Sequence, residues 1–554
     1  MFNEEKTKDL IKLIHENKKS MKRSAIDKLI REGANIDGTH DDFPLFCAVY
    51  NNSYGTVKYL LEKGADVNKK SSRDNDNFTS FHLACMNGNT NIAELLIQYG
   101  ADTSTKDIHG NTPLMIASLR DNDELVQTIL DMRTYTLSSK SPSQSQSLNR
   151  AMDLVYSTID IENDSGYTPL NAACQNKNRV LIELFVSVGA DISHAIDTGD
   201  KPIHQLSQEH RPDLLDILIG EGANVNDINT KTGETPLHCL TKYTDHESTL
   251  RLLLYHGADP TIPDKSGTLP IHHVARIGSV HNLLIIIENI REKLSEDLKE
   301  NLTEDLIENL TEDFIKTYIN ATQKNGETPL FIACSNNRDL NDRERMIQVL
   351  TEKEADPNIR SLIDNSSPLD KLLESTNNPR LYELILNAGA NPNHIRNTNT
   401  DAPIVRAIIR GKPEIVKMMI FHGADVNHVN TAGYTPLMIA CGVYPQYPPN
   451  IRVIKMLLYT ENINMNIRSG AGETALEILR RVNPDMAAHV DEDLSVYNTA
   501  MVSLMLDPKN PNPMLSKIDA EATENIKEFM FKRAGKKSKR RKSRKRQYTK
   551  RSRK

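Results

Sequence analysis

Histidine and cysteine are the residues of this chain best suited to chemistry, seventeen of the first and six of the second among 554. An imidazole beside a thiol, as at His238-Cys239, is the kind of pairing that activates a nucleophile or begins a metal site. The spacing argues against both. No Cys or His set shows the close Cys-x-x-Cys arrangement of a zinc site. No Gly-x-Ser-x-Gly elbow is present, and Gly472-Glu473-Thr474 lacks the glycine-then-lysine order that cradles phosphates. The many acids fall on polar stretches, where a solvated surface is the default. The sequence therefore predicts a protein that is not an enzyme, with no catalytic residue, no cofactor and no metal.

The residues around His238 explain why it is there. In Gly233-Glu234-Thr235-Pro236-Leu237-His238-Cys239, Thr235 can cap a helix whose first position, Pro236, has no N–H to lose. The apolar run Leu250-Arg251-Leu252-Leu253-Leu254 then ends at Gly257-Ala258-Asp259, where a left-handed glycine stops a second helix. The pattern recurs. Gly-Ala-Asp/Asn returns at Gly33, Gly64, Gly100, Gly189, Gly222, Gly257, Gly389 and Gly423, and Thr-Pro-Leu at Thr112, Thr168, Thr235, Thr328 and Thr435. Where no insertion intervenes the step is 31 to 36 residues. Two motifs that keep step over so many copies mark a repeat array, which also accounts for a length too great for one core.

A unit of about 33 residues, running turn, Thr-Pro-Leu-His-x-Ala helix, second helix and Gly-Ala-Asp-x-Asn, resembles the ankyrin repeat. The resemblance covers residues 1–506 as about thirteen repeats, the first of them a charged N-terminal cap. It implies an all-α repeat solenoid of stacked helix-turn-helix units with projecting β-hairpin or loop fingers. It also implies that His82, His204, His238 and His272, all in the motif slot, bond to the turn and the neighbouring finger. Leu170, Ala172 and Ala173 of one first helix, and Leu181, Ile182, Leu184 and Phe185 of the second, are the expected core. Two stops depart from the pattern, Glu354-Ala355-Asp356 and Glu461-Asn462, so either the helices end differently there or the interfaces are weaker. Cys47, Cys85, Cys174, Cys239, Cys334 and Cys441 read as one slot of the first helix. Thiols there would be buried and reduced, because helices packed about 8–10 Å apart exceed the roughly 7 Å that a disulfide spans.

Two insertions and a tail interrupt the array. Residues 133–159 include a Ser-rich stretch, Leu137 to Ser147, with too little apolar surface to fold. Residues 291–319 carry an acidic eight-residue repeat, Leu294-Ser295-Glu296-Asp297, Leu302-Thr303-Glu304-Asp305 and Leu310-Thr311-Glu312-Asp313. Either each Ser/Thr-Glu-Asp caps a short helix or one long helix runs through; as function, a solvated extension and an acidic docking arm both stand. Residues 507–533 read as a linker and a capping helix, with an amphipathic stretch at Met514 to Phe531. Residues 534–554 read as a disordered basic tail: Lys536, Lys537, Lys539, Arg540, Arg541, Lys542, Arg544, Lys545 and Arg546 lead its thirteen bases, with no acid. The net charge of −6 thus hides an acidic body.

These readings predict an intracellular protein-interaction scaffold. A protein partner would bind the concave face and the fingers, the latter through Asp107, His109, Asn229, Lys231, Asp264, Lys265, Asn430 and Thr431. The tail suits an import receptor or nucleic acid. The alternatives are a nucleic-acid-associated protein with the tail as main contact, and an adaptor for degradation. The start of the chain has no apolar signal segment, and the run Leu283–Ile287 falls far short of the ~20 residues that span a bilayer. A cytoplasmic or nuclear protein without membrane contact is expected. The Asn-, Ile- and Lys-rich degenerate repeats also resemble ankyrin-repeat proteins of giant amoeba-infecting DNA viruses such as mimivirus, which implies host proteins as partners.

Overall fold

The structure is a computed structural model that describes residues 2–506 apart from 17–22, 39–42, 72–76, 136–157, 210, 244–245, 300–301, 337–339 and 397–400. The Ser-rich loop, the 507–533 cap and the basic tail lie outside the described residues. Twenty-seven helices and no strand make up the described chain, which forms an all-α repeat solenoid in two compact units. One comprises Met1–Ile277 with His281–Lys293, the other Gly278–Val280 with Leu294–Lys554.

The repeat at Thr235 shows how the sequence builds each unit. Thr235 is extended (φ −88°, ψ 166°), and its side chain accepts from the His238 N–H. The short helix Pro236–Thr241 buries Leu237, Cys239 and Leu240, and Glu247–Tyr255 buries Leu250, Leu253 and Leu254. Neither helix is long enough to be stable alone. First helices pack on first helices, Pro202–Gln208 on Pro236–Thr241, and second helices on second, Pro212–Gly220 on Glu247–Tyr255. Each buried Leu contributes about 1.5–3 kcal/mol, so the unit is held by its neighbours. In the expected core, Leu170, Ala172, Ala173, Leu181, Ile182 and Phe185 are fully buried. Leu184 is half-buried.

Three expectations are refined. The cysteines do not share one slot: Cys85, Cys174, Cys334 and Cys441 stand six residues after the cap, Cys47 and Cys239 four. All six are buried free thiols, and burial pushes those of Cys239, Cys334 and Cys441 up to about 12. The acidic insertion follows neither alternative alone. Its first acidic motif prolongs a second helix, Val280–Leu298, and its second starts a new one, Glu304–Ile319, with Thr303 at the N-cap. Apolar residues four apart drift around a helix of 3.6 residues per turn. The break resets the face, so that Ile307, Ile315, Tyr318 and Ile319 are buried.

The two odd stops differ from each other. Glu354 takes the left-handed conformation at φ +64°. Its helix closes like that of Gly257, with Ala355 N–H on the Leu350 carbonyl at 2.9 Å as Ala258 N–H is on Leu253 at 2.9 Å. At Glu461-Asn462 the helix does end differently: the left-handed residue is Asn462, φ +74°.

Candidate functional site

The fingers are turns built by one side chain each. Asn229 Oδ1 accepts from the N–H of Lys231 and Thr232 at 2.7 and 2.9 Å. Asp107 does the same for His109 and Asn111, Asp264 for Ser266 and Thr268, and Asn430 for Ala432 and Tyr434. Neighbouring fingers are then tied to one another. Thr230 N–H donates to the Gly199 carbonyl at 3.3 Å and Lys265 N–H to that of Thr232 at 2.9 Å, while Asn229 Nδ2 reaches Asp200 Oδ1 at 2.7 Å. The approach is close enough to require glycine: a Cβ on Gly199, φ +89°, would sit 2.4 Å from Asn229 Oδ1.

The motif histidines anchor this row from beneath. His238 Nδ1 accepts from the Thr235 N–H at 3.1 Å, so its Nε2 carries the proton that it gives to the Thr268 carbonyl at 2.9 Å. His82 joins Thr79 to the carbonyls of Thr105 and Asn111, and His204 joins Lys201 to those of Asp227 and Glu234. For His272 the bond to the turn is the one to Leu269 N–H, at 3.0 Å. Burial lowers the pKa of His204 and His238 and pushes His82 down to about 4. All three rings are therefore neutral spacers near pH 7. Among the described residues no group of three or more His, Cys, Asp or Glu could hold a metal ion.

The eight finger residues singled out from the sequence separate into two kinds. Asp107, Asn229 and Asn430 are buried, at 7%, 3% and 7% exposure; their side-chain oxygens are spent on the turns, and the amides of Asn229 and Asn430 on Asp200 and Asp401. Asp264, half-buried, is spent the same way. His109, Lys231, Lys265 and Thr431 are exposed at the tips. The nine tail residues, Lys536 to Arg546, lie outside the described chain.

Two features escaped the sequence reading. Leu362 and Ile363 stand 78% and 76% exposed on one finger, with Leu362 N–H bound to the Asn325 carbonyl of the finger before it. Apolar residues are also exposed on or beside other tips, at Ile108, Ile228 and Val429. The second feature is a ladder formed by the motif asparagine. Asn226 Oδ1 accepts from the Asp259 N–H at 2.7 Å, and its Nδ2 donates to the Gly257 carbonyl at 3.0 Å. Asn68, Asn320, Asn358, Asn393 and Asn427 each bridge to the next stop in the same way. The signal was the asparagine at the fifth position of Gly-Ala-Asp/Asn-x-Asn, present in four of the eight copies, Asn68, Asn226, Asn393 and Asn427.

Comparison with known proteins identifies the repeat. A family model described as ankyrin repeats (3 copies) matches residues 69–140, 203–297 and 369–469, and one described as ankyrin repeat matches 40–72 and 325–362; together they take in more than half of the chain. The E3 ubiquitin-protein ligase KEG of Arabidopsis thaliana is 24% identical over 61% of this chain and 22% of its own length. The ankyrin repeat protein nuc-2 of Neurospora crassa is 26% identical over 44% of this chain and 24% of its own. The match thus spans less than a quarter of either relative. The crystal structure of the ankyrin repeat domain of Bcl-3 aligns with 45% of this chain and all of that one, at 21% identity and a TM-score of 0.37.

Proposed function

The chain belongs to the ankyrin-repeat family, and from that premise we propose that it is a protein-protein interaction scaffold that grips a protein partner through its finger tips. The observation that carries this reading is the pre-ordered row of fingers. Finger-to-finger hydrogen bonds fix the backbone before a partner arrives, so little ordering entropy is lost on binding. The tips then offer His109, Lys231, Lys265 and Thr431 beside exposed aliphatic side chains, a mix that gives both contact area and polar selectivity. No helix among the described residues is long and apolar enough to cross a membrane.

The test uses the full chain as bait, with Lys231→Glu, Lys265→Glu, Leu362→Ser and Ile363→Ser combined in a second bait. A saturable protein ligand held by the parent should bind the variant at least tenfold more weakly, the size of effect expected of a few dominant contacts. Failure to recover any saturable protein ligand, or equal binding by both baits, would refute the reading.

A second reading rests on the sequence of 534–554, whose thirteen bases suit an import receptor or nucleic acid. A degradation adaptor has in its favour the ligase named among the relatives, of which the match covers 22%. The composition of the degenerate repeats is what supports a viral origin, with host proteins as partners.

A further inference from the structure

The Glu304–Ile319 helix has two apolar faces, and the repeat stack covers one of them. Ile307, Ile315, Tyr318 and Ile319 are buried. One position earlier in each turn, about 100° around the helix, Leu306, Leu310 and Phe314 are 45%, 43% and 39% exposed. They make a continuous stripe at a spacing of four residues. Glu304, Asp305, Glu308, Glu312 and Asp313 are exposed on the same helix. Its one base, Lys316, is engaged by Glu354 at 2.7 Å. Asp305 and Asp313 fall on one flank of the stripe, whereas Glu304, Glu308 and Glu312 stand two residues from its members and face away from it. A stripe that is apolar along its centre and acidic along one flank fits a segment that is apolar and then basic.

The chain carries such a segment. Ile526, Phe529 and Met530 share one side of the helix that the sequence predicts over 514–531. Fifteen residues, 532–546, follow with eleven Lys or Arg and no acid. We propose that residues 526–546 dock on the Leu306-Leu310-Phe314 face of the same chain, the apolar part covering the stripe and the basic run lying along its acids.

The connection is long enough. Nineteen residues lie between Leu506, the last described, and Ile526, and the twenty steps across them reach about 65–70 Å when extended. The helix Glu304–Ile319 precedes the five repeats that lead to Leu506, a stack of about 40–50 Å at the spacing of packed helices. Docking takes the basic run out of reach of any other anion, so a tail contact and the acidic insertion compete for one segment. The proposal does not rest on the finger-tip reading.

The test is intramolecular cross-linking in the full chain with Asn309→Cys and Gly535→Cys. The six native thiols are buried, so a short bismaleimide reacts at the introduced pair. At low salt most molecules should close an intrachain link. Yield should fall about tenfold in 1 M salt, where the Debye length is about 3 Å. It should fall as far at low salt with Leu306→Ser, Leu310→Ser and Phe314→Ser combined, and also with Asp305→Asn and Asp313→Asn combined. The second variant leaves the apolar stripe in place and guards against misfolding of the first. Yields unchanged in both variants, a salt-independent yield, or links formed mainly between two chains would each overturn the proposal.

Discussion

The two compact units meet one backbone requirement with different chemistry. Each first helix opens on a cap residue whose own N–H needs an acceptor three residues on. In the first unit His82, His204, His238 and His272 supply a neutral ring nitrogen and Asn171 an amide oxygen, while Phe46 and Met115 hold the position after the caps Phe43 and Thr112. In the second unit Asp370 and Glu477 supply carboxylates and Met438 a sulfur, while Phe331 and Val405 hold the same position with no polar atom. An imidazole can accept at one nitrogen and donate at the other, so it joins two repeats while uncharged. A carboxylate only accepts, and when buried it needs a donor. Asp370 is fully buried and takes Arg406 of the next repeat. The slot tolerates either answer, but the answer decides how each unit responds to mutation and to acid.

The largest effect should come from separating that pair. Arg406→Leu leaves Asp370 buried without its cation, and breaking a buried ion pair from one side costs about 3–5 kcal/mol. Hydrogen exchange over residues 368–409 should accelerate accordingly, with 202–241 unchanged. Changing both residues, Asp370→His with Arg406→Leu, installs the first unit's solution. It should recover most of the protection, because Arg406 Nε and Nη1 have no partner to lose. Equal damage from the single and the double variant would show that the loss comes from packing of the arginine rather than from the charge left behind.

Acid should act mainly on the first unit. The pKa of His82 is pushed down by burial from 6.5 to about 4. His273, whose ring stands 6.0 Å from that of His238 and whose Nε2 has no partner, is pushed down by burial to about 3. A base whose folded pKa is depressed gains its proton first in the unfolded chain. Its stabilisation is therefore complete above pH 6.5 and lost as pH falls from there towards the folded value. At 1.36 kcal/mol per unit the His82 site loses about 3 kcal/mol over that range. Exchange rates at pH 7.5 and pH 5, corrected for intrinsic chemistry, should show residues 79–111 and 235–275 losing protection before 402–440. Parallel loss in both regions would contradict the difference between the slots.

The same contrast shows what could be read from residue types alone. Thr235, Pro236 and Gly257 act on neighbours within a turn, so their roles were legible; the reach of His238 to Thr268 in the next repeat was implied by the family resemblance, and periodicity supplied the rest of the stack. The thiols were placed in the interior for a sound reason, although they occupy two positions rather than one. Interactions set by the stacking were not legible. Asp370 and Arg406 are 36 residues apart, and nothing local marks their bond; the Asn226 bridge to Asp259 spans 33, and the recurring asparagine marks the position but not its partner. The break between Leu298 and Glu304 depended on which face the later helix had to bury. At the fingers, Asn229 looked like a polar tip residue and is instead the buried keystone of its turn, whereas the aliphatic Leu362 and Ile363 stand at the surface.

The stop residues offer the smallest and most symmetrical comparison. Gly257 in the first unit and Glu354 in the second end their helices with the same hydrogen bonds and the same left-handed backbone, φ +87° and +64°. No heavy atom lies within 4 Å of a Cβ placed on Gly257, so Gly257→Ala tests conformation alone and should cost about 1 kcal/mol. The reverse change, Glu354→Gly, removes the strain but loosens the unfolded chain and frees Lys316 from an exposed ion pair. Its effect should be stabilising and smaller than the loss at Gly257. Local exchange at Leu253–Ala258 and Leu350–Ala355 reads both. If Glu354→Gly instead weakened its helix end, the Lys316 contact would be holding the stop in place, and the second unit would depend on side-chain pairing even where the first depends only on backbone.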